Sequence, residues 1–109
     1  MSKLNLKIAE FEDLVPTGGT CYASKKITEE GMKIGYMYRE EPTDEFDTGW
    51  RFYSGTEDED YVDNLENVML YDVNTVANFD RAIIPLLKKP IGTEWERIEG
   101  GNRFQLLEE

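Results

Sequence analysis

The tripeptide Asp47-Thr48-Gly49 is the stretch of this sequence whose residue types best fit a catalytic motif. Aspartic proteases use the same tripeptide, and two copies of its aspartate share one proton. The surroundings do not fit, because the acidic "DEF" replaces a hydrophobic strand before the motif and bulky Trp50 follows it. We therefore interpret residues 47–49 as a polar turn that leads into a strand, in which Asp47 braces the backbone. A carboxylate-based hydrolase that uses Asp47 stays open as an alternative.

The sequence contains no histidine and a single cysteine, Cys21. Histidine-dependent serine and cysteine hydrolases are excluded, and so are the common zinc sites. Cys21 is predicted to be a small buried core residue. The acidic run at residues 58–66 lacks the glycine and glutamate spacing of a calcium-binding EF-hand loop. The favoured interpretation is a non-enzymatic protein with no catalytic residue, no metal site and no cofactor.

Negative charge is concentrated in one quarter of the chain. The sequence has 23 acids and 12 bases, a net charge of −11. Residues 40–66 hold eleven of those acids and one base, which gives −10, and the remaining residues contribute −1. Such a segment repels nucleic acids and anionic membranes, whereas it steers association with a basic protein. We predict a partner-binding acidic patch, with solubility as the alternative role, at seven residues: Asp44, Glu45, Glu57, Asp58, Glu59, Asp60 and Tyr61.

Alternating and helical patterns place these residues in a single α+β domain, residues 1–109. Strands are predicted at "CYAS", "KIGYMYRE", "WRFYS", "NVMLYDV", "GTEWERI" and "RFQLL", a mainly antiparallel sheet of five or six strands. One to three short helices are expected. One lies in "TEDEDYV", where Thr56 and Glu59 match a capping box, and others follow Asn74 and Asp80. The N-terminal 15 residues fit either a strand or a helix.

Side chains alternate along the two central predicted strands. In "WRFYS", Trp50 and Phe52 are predicted to face one way. Arg51 and Tyr53 are predicted to face the other way. One face of the preceding strand is predicted to carry three residues: Ile34, Tyr36 and Tyr38. We interpret most of these aromatic residues as core, and we expect Tyr53 and Tyr61 to be exposed enough to anchor a partner. Arg39 and Arg51 are expected to pair with nearby carboxylates, such as those of Asp47 or Glu57.

The order of motifs resembles a known family. "GYMYRE" at residues 35–40 precedes "DTGWRF" at residues 47–52, and then come Gly55, Glu57 and Tyr61. Over residues 18–97 the chain resembles small bacterial domains of unknown function that are assigned to immunity proteins of polymorphic toxin systems. The resemblance implies an α+β fold, no known catalysis and a toxin as protein partner. We expect seven residues of this pattern to be structural: Arg39, Asp47, Gly49, Trp50, Arg51, Phe52 and Gly55.

The favoured functional hypothesis is an immunity protein that neutralises a cognate toxin through its acidic surface. A basic toxin is the expected partner, and neither nucleic acid nor a membrane is expected to bind. No secretory signal pattern and no apolar run of membrane-spanning length occurs, so a cytoplasmic location is expected. Besides the hydrolase, a cytosolic accessory or regulatory module with an unknown ligand remains an alternative.

Overall fold

The sheet of this α+β fold contains six strands. A computed structural model describes residues 12–15 and 18–108, so the strand-or-helix alternative for the N-terminus lies almost wholly outside the described residues. The strands are β1 (Thr20–Ser24), β2 (Tyr36–Arg39), β3 (Asp47–Tyr53), β4 (Val68–Asp72), β5 (Glu94–Arg97) and β6 (Phe104–Leu107). Their order is β4-β1-β3-β2-β5-β6. Only β1 and β3 run parallel among the described pairs, so the predicted fold class is confirmed.

Short helical segments connect the strands: α1 (Lys25–Thr28), α2 (Glu59–Asp63), α3 (Val73–Phe79) and a 3₁₀ segment (Arg81–Leu86). The predicted cap of α2 at Thr56 is wrong. The N-cap is Asp58, whose Oδ1 accepts a hydrogen bond from the Tyr61 N–H at 2.8 Å. Because this side chain satisfies a free amide of the first turn, it stabilises the helix start. Within the described part of the chain, no helix is both long and apolar enough to span a membrane.

Asn74 does not cap α3, contrary to prediction. The N-cap of α3 is Asp72, and the Asn74 side-chain oxygen instead accepts the N–H groups of Leu14 and Val15 at 2.7 and 3.0 Å. The helical piece predicted after Asp80 is the 3₁₀ segment, and Asp80 caps it, because its Oδ1 accepts the Ala82 N–H at 3.2 Å. The polar side chains of this region therefore join separate segments as well as ending helices.

The hydrophobic core lies on one face of the sheet, under α1, α3 and the 3₁₀ segment. Trp50 and Phe52 project from β3 into this core, where their rings stack with centroids 6.0 Å apart. Cys21 is fully buried there, as predicted. The other core residues come from all the elements around β3: Ala23, Ile27, Ile34, Met37, Val73, Val76, Ala77, Ile83 and Leu86. These elements pack on only this face of the sheet and do not cover the opposite face.

The prediction that Ile34 shares a face with Tyr36 and Tyr38 is wrong. Ile34 precedes β2 and is buried in the core, where its N–H donates to Asp80 at 2.9 Å. Within β2 the core residue is Met37. Because successive side chains of a strand alternate, Tyr36 and Tyr38 lie on the face away from the core. Their interpretation as core residues is therefore also wrong.

Gly49 lets the backbone of β3 approach the residue that follows β2. Its φ is +88°, and an added Cβ would lie 2.1 Å from the Glu40 carbonyl oxygen. Gly100 has a similar φ of +87°, but no atom lies within 4 Å of an added Cβ. We expect Gly49→Ala to lower the free energy of unfolding by about 1–3 kcal/mol more than Gly100→Ala, because only Gly49→Ala adds a steric clash to the backbone strain. Urea unfolding of both variants measures the difference, and equal losses would contradict the clash.

Candidate functional site

The face of the sheet away from the core carries four tyrosines around Arg51. The register places Tyr38 opposite Arg51 and Tyr36 opposite Tyr53, while Tyr22 of β1 pairs with Arg51 from the other side. The rings of Tyr36, Tyr38 and Tyr53 contact one another, with centroids 5.8 to 6.2 Å apart. We call these three residues the tyrosine cluster. Strand pairing thus gathers residues from β2 and β3 into one aromatic surface.

Each tyrosine of the cluster is half-buried and uncharged at neutral pH. Burial, together with the charge of Glu94, raises the pKa of Tyr36 to about 12. Burial also raises the pKa of Tyr38 and of Tyr53. The Tyr36 hydroxyl donates a hydrogen bond to Glu94 Oε1 at 3.1 Å. The cluster therefore presents apolar rings with neutral polar ends, the combination that protein interfaces favour.

A groove of about 430 Å³ opens beside the tyrosine cluster. It is lined by the three tyrosines together with Val62 of α2, the two glycines Gly35 and Gly55, and the carboxylates of Glu57 and Glu96. None of these lining residues is a cation. The groove has the volume of a ligand pocket. It combines aromatic walls with negative charge, and that combination suits a positively charged group.

Arg51 lies buried on this face among the tyrosines, and two carboxylates compensate its charge. Its terminal nitrogens donate to both oxygens of Asp47 at 2.9 and 2.8 Å, and its Nε donates to Glu40 at 2.6 Å. Asp47 also accepts the N–H groups of Gly49 and Thr43, each at 2.9 Å. The hydrogen bonds from Arg51 hold the pKa of the Asp47 carboxyl well below its usual range. Asp47 thus braces the backbone before Gly49, as expected, and Arg51 has the expected carboxylate partner.

Neither Asp47 nor Cys21 is placed to do chemistry. The Asp47 side chain is 2% exposed, both of its oxygens accept hydrogen bonds, and its depressed pKa makes it a weak base. Cys21 is fully buried, and burial raises the pKa of its thiol. Among the described residues, no group of three or more acidic or cysteine side chains is arranged to hold a metal ion.

Arg39 binds backbone carbonyls, so its predicted carboxylate partner is wrong. Its Nε donates to the Thr48 carbonyl oxygen and its Nη1 to that of Lys89, both at 2.8 Å. Its guanidinium lies 5.7 Å from the centre of the Trp50 ring. Arg39 therefore ties the start of β3 to the segment before β5 and covers the edge of the core.

The seven residues of the predicted acidic patch are divided between the two ends of β3. Asp44 and Glu45 precede the strand, and residues 57–61 follow it, about 20 Å away along a seven-residue strand. Asp44 Oδ1 accepts the N–H groups of Phe46 and Asp47 at 2.8 and 2.9 Å. The acids that are close together in the sequence therefore form two separate groups in space.

Two residues of the second group stabilise the local backbone. Glu57 accepts the N–H groups of Ser54 and Gly55, each at 2.9 Å. Burial acts to raise the pKa of Glu57, but hydrogen bonds from Ser24 and Ser54 hold it below its usual value. Asp58 is the cap of α2. Of these two carboxylates, Glu57 lines the groove.

The remaining members of the second group differ in exposure. Glu59 and Asp60 are exposed in the first turn of α2. Tyr61 is half-buried, and the Lys26 ammonium lies 5.1 Å from the centre of its ring. Because Val62 of the same helix lines the groove, α2 brings this end of the acidic segment close to the tyrosine cluster.

Sequence reasoning missed the contribution of β5 to this face. Glu94 pairs with Tyr38 and Glu96 pairs with Tyr36, so both carboxylates border the tyrosine cluster. They lie outside residues 40–66, the segment that holds most of the net negative charge. The alternating acids of "TEWERI" were the available signal, because a strand with acids at every second position has one polar face. The partner of that strand could not be read from the pattern.

An open aromatic face bordered by carboxylates is typical of surfaces that bind another macromolecule. The chain matches the immunity protein Imm33 domain over residues 21–107, and it belongs to that family. It matches no curated protein and no solved structure significantly. The family match confirms the resemblance to immunity proteins that the sequence motifs indicated. Membership of this family indicates a toxin-neutralising, non-enzymatic role with a protein toxin as partner.

Proposed function

We propose that this chain neutralises a cognate toxin by binding it through the tyrosine cluster and the carboxylates around it. The observation that carries the proposal is the face of the sheet opposite the core, where, among the described residues, Tyr36, Tyr38 and Tyr53 are half-exposed. Tyrosines are frequent hot spots of interfaces because each buries a large area at a low cost in conformational entropy. A rigid sheet also holds the rings in place before the partner arrives.

The charge around the cluster supports a basic toxin as the partner. Glu57, Glu94 and Glu96 border the tyrosines, while Arg51 on the same face is already paired with Asp47 and Glu40. The net charge of −11 adds a long-range attraction for cations. Toxins that cleave nucleic acids are commonly basic because their substrate is a polyanion. A partner of that kind is complementary to this face in both charge and hydrogen bonding.

Tyr38→Ala is expected to weaken toxin binding by at least about 2 kcal/mol, roughly 30-fold in Kd, because Tyr38 contacts both other rings of the cluster. Calorimetry with the cognate toxin measures the loss, and co-expression of the two proteins measures protection. Leu65→Ala is the control, since Leu65 is 87% exposed and does not line the groove. An unchanged Kd for a folded Tyr38→Ala variant would refute the proposed face. If the wild-type chain does not bind the toxin, the accessory-module alternative is favoured.

The exposed acids of α2 are proposed to speed the encounter with the toxin. Neutralising Glu59 and Asp60 together, as Glu59→Gln with Asp60→Asn, should slow association by about threefold at low salt. The effect should fade as the salt concentration passes about 0.1 M, where the Debye length is about 10 Å. Surface plasmon resonance at two salt concentrations measures both changes. Glu57 and Asp58 are left intact because they hold the loop and the helix cap.

The control for this test removes the same number of charges elsewhere. Glu30→Gln with Glu99→Gln changes two exposed acids that do not line the groove. An equal slowing by the control pair would show that net charge alone acts. An unchanged on-rate for the α2 pair would leave those acids with a role in solubility.

A further inference from the structure

We propose that the groove beside the tyrosine cluster receives an arginine side chain of the toxin. The inference rests on the proposed function, because it names the chemical group that the partner inserts. It concerns one end of the tyrosine-bearing face, where the volume, the aromatic walls and the carboxylates coincide.

The aromatic walls fit a planar cation. The rings of Tyr38 and Tyr53 are within 8° of parallel, with centroids 6.2 Å apart, so they offer two similarly oriented π surfaces. A guanidinium can stack on such a surface with its own plane parallel to the ring, whereas an ammonium is a point charge. Because the pKa of each phenol is raised, the rings stay neutral and contribute attraction through their π electrons.

The carboxylates complete the site. Glu96 lines the groove and is exposed, and within the described part of the chain its side chain accepts only one long hydrogen bond, from Gln105 at 3.3 Å. Its oxygens therefore retain the capacity to accept further donors. Glu57 adds negative charge on the other side, although loop amides occupy its oxygens. The forked donors of arginine can stack on a ring and reach a carboxylate at the same time.

Within residues 12–15 and 18–108, the cations near the groove do not compete for this space. Arg51 lies on the same face but is held beside the cluster by its ion pairs with Asp47 and Glu40, and it does not line the groove. Lys26 donates to the Thr56 hydroxyl at 3.1 Å and does not line the groove. The volume of about 430 Å³ leaves room for a whole side chain. The electrostatic environment of the groove is thus negative, and a positive charge is the complementary occupant.

The first test uses the intact protein and small probes. N-acetyl-arginine methylamide is titrated while NMR signals of the three tyrosine rings and of the Gly35 and Gly55 amides are recorded. Saturable shifts are expected, with a dissociation constant on the order of millimolar for a single side chain. The matching citrulline compound, which has the same shape without the charge, should cause none. No saturable shift with arginine, or an equal affinity for the citrulline or lysine compound, would overturn the proposal.

The second test compares two carboxylates. Glu96→Gln should weaken arginine binding by about tenfold, because it removes a charge-assisted hydrogen bond. Glu99→Gln removes the same charge outside the groove and should leave the affinity unchanged. With the toxin itself, a normal Kd for Glu96→Gln beside a weakened Tyr38→Ala would overturn the arginine site while the proposed function stands. Arginine shifts without any toxin binding would instead refute the proposed function.

Discussion

Trp50→Ala is expected to lower the free energy of unfolding by about 3–5 kcal/mol, because it empties the centre of the core. Trp50 is 1% exposed and stacks on Phe52. Its Nε1 donates to the Leu87 carbonyl oxygen at 3.1 Å, so truncation also leaves a carbonyl without its donor. Urea denaturation followed by circular dichroism measures the loss.

The other tryptophan is the matched control for this prediction. Trp95 is half-buried on β5 at the margin of the core, so Trp95→Ala should cost clearly less. A change within about 0.5 kcal/mol for Trp50→Ala would show that its ring does not support the core. Trp50→Ala should also reduce toxin binding only to the extent that it unfolds the chain, since its side chain lies on the face opposite the tyrosine cluster.

Asp47→Ala is expected to cost about 3–5 kcal/mol in the free energy of unfolding, because it leaves the charge of buried Arg51 largely uncompensated. Arg51 is 4% exposed, and the substitution also removes the acceptor for the N–H groups of Gly49 and Thr43. Glu40→Gln is the control, since the Glu40 side chain is 50% exposed and its bond to Arg51 should contribute about 1 kcal/mol or less. Equal, small losses for both variants would contradict the buried pair.

The contribution of Asp47 should also depend on pH. Hydrogen bonds from Arg51 depress the pKa of Asp47 in the folded state below its value of about 3.9 in the unfolded chain. The stabilisation is therefore fully present above about pH 4 and is lost as the pH falls towards the folded-state pKa. The difference in unfolding free energy between wild type and Asp47→Asn should be constant near neutral pH and shrink below about pH 4. An undiminished difference at about pH 2 would contradict this linkage.

The alternation along β3 was sufficient to separate its two faces. Trp50 and Phe52 share one face because side chains of a strand repeat with a period of two, and bulky aromatic residues beside a charged one mark the buried side. The same local rules predicted all six strands, since strand propensity depends on nearby residues. They also predicted a short helix where α2 lies, although its cap is Asp58 and not Thr56. The bracing of the backbone by Asp47 was equally local.

The functional face depended on contacts between distant segments, which local patterns do not encode. Tyr36 and Tyr38 were interpreted as core because aromatic residues usually are, but α1, α3 and the 3₁₀ segment cover only the face that carries Met37. Which face is covered follows from the packing on the sheet of residues 25–28 and of residues 73–86, and the second segment is far from β2 in sequence. The pairing of β5 with β2 then brought Glu94 and Glu96 beside the tyrosines.

The acidic segment, residues 40–66, is the opposite case, because its residues are close in sequence but separated in space. Its acids are neighbours in the sequence, but β3 runs through the middle of the segment as an extended strand. Asp44 and Glu45, which precede β3, therefore lie about 20 Å from the acids that follow it. Charge counted along a chain says how strongly the molecule attracts a basic partner. Where that attraction is focused depends on strand order and on buried pairs such as Asp47–Arg51, because tertiary contacts decide which charges remain facing solvent.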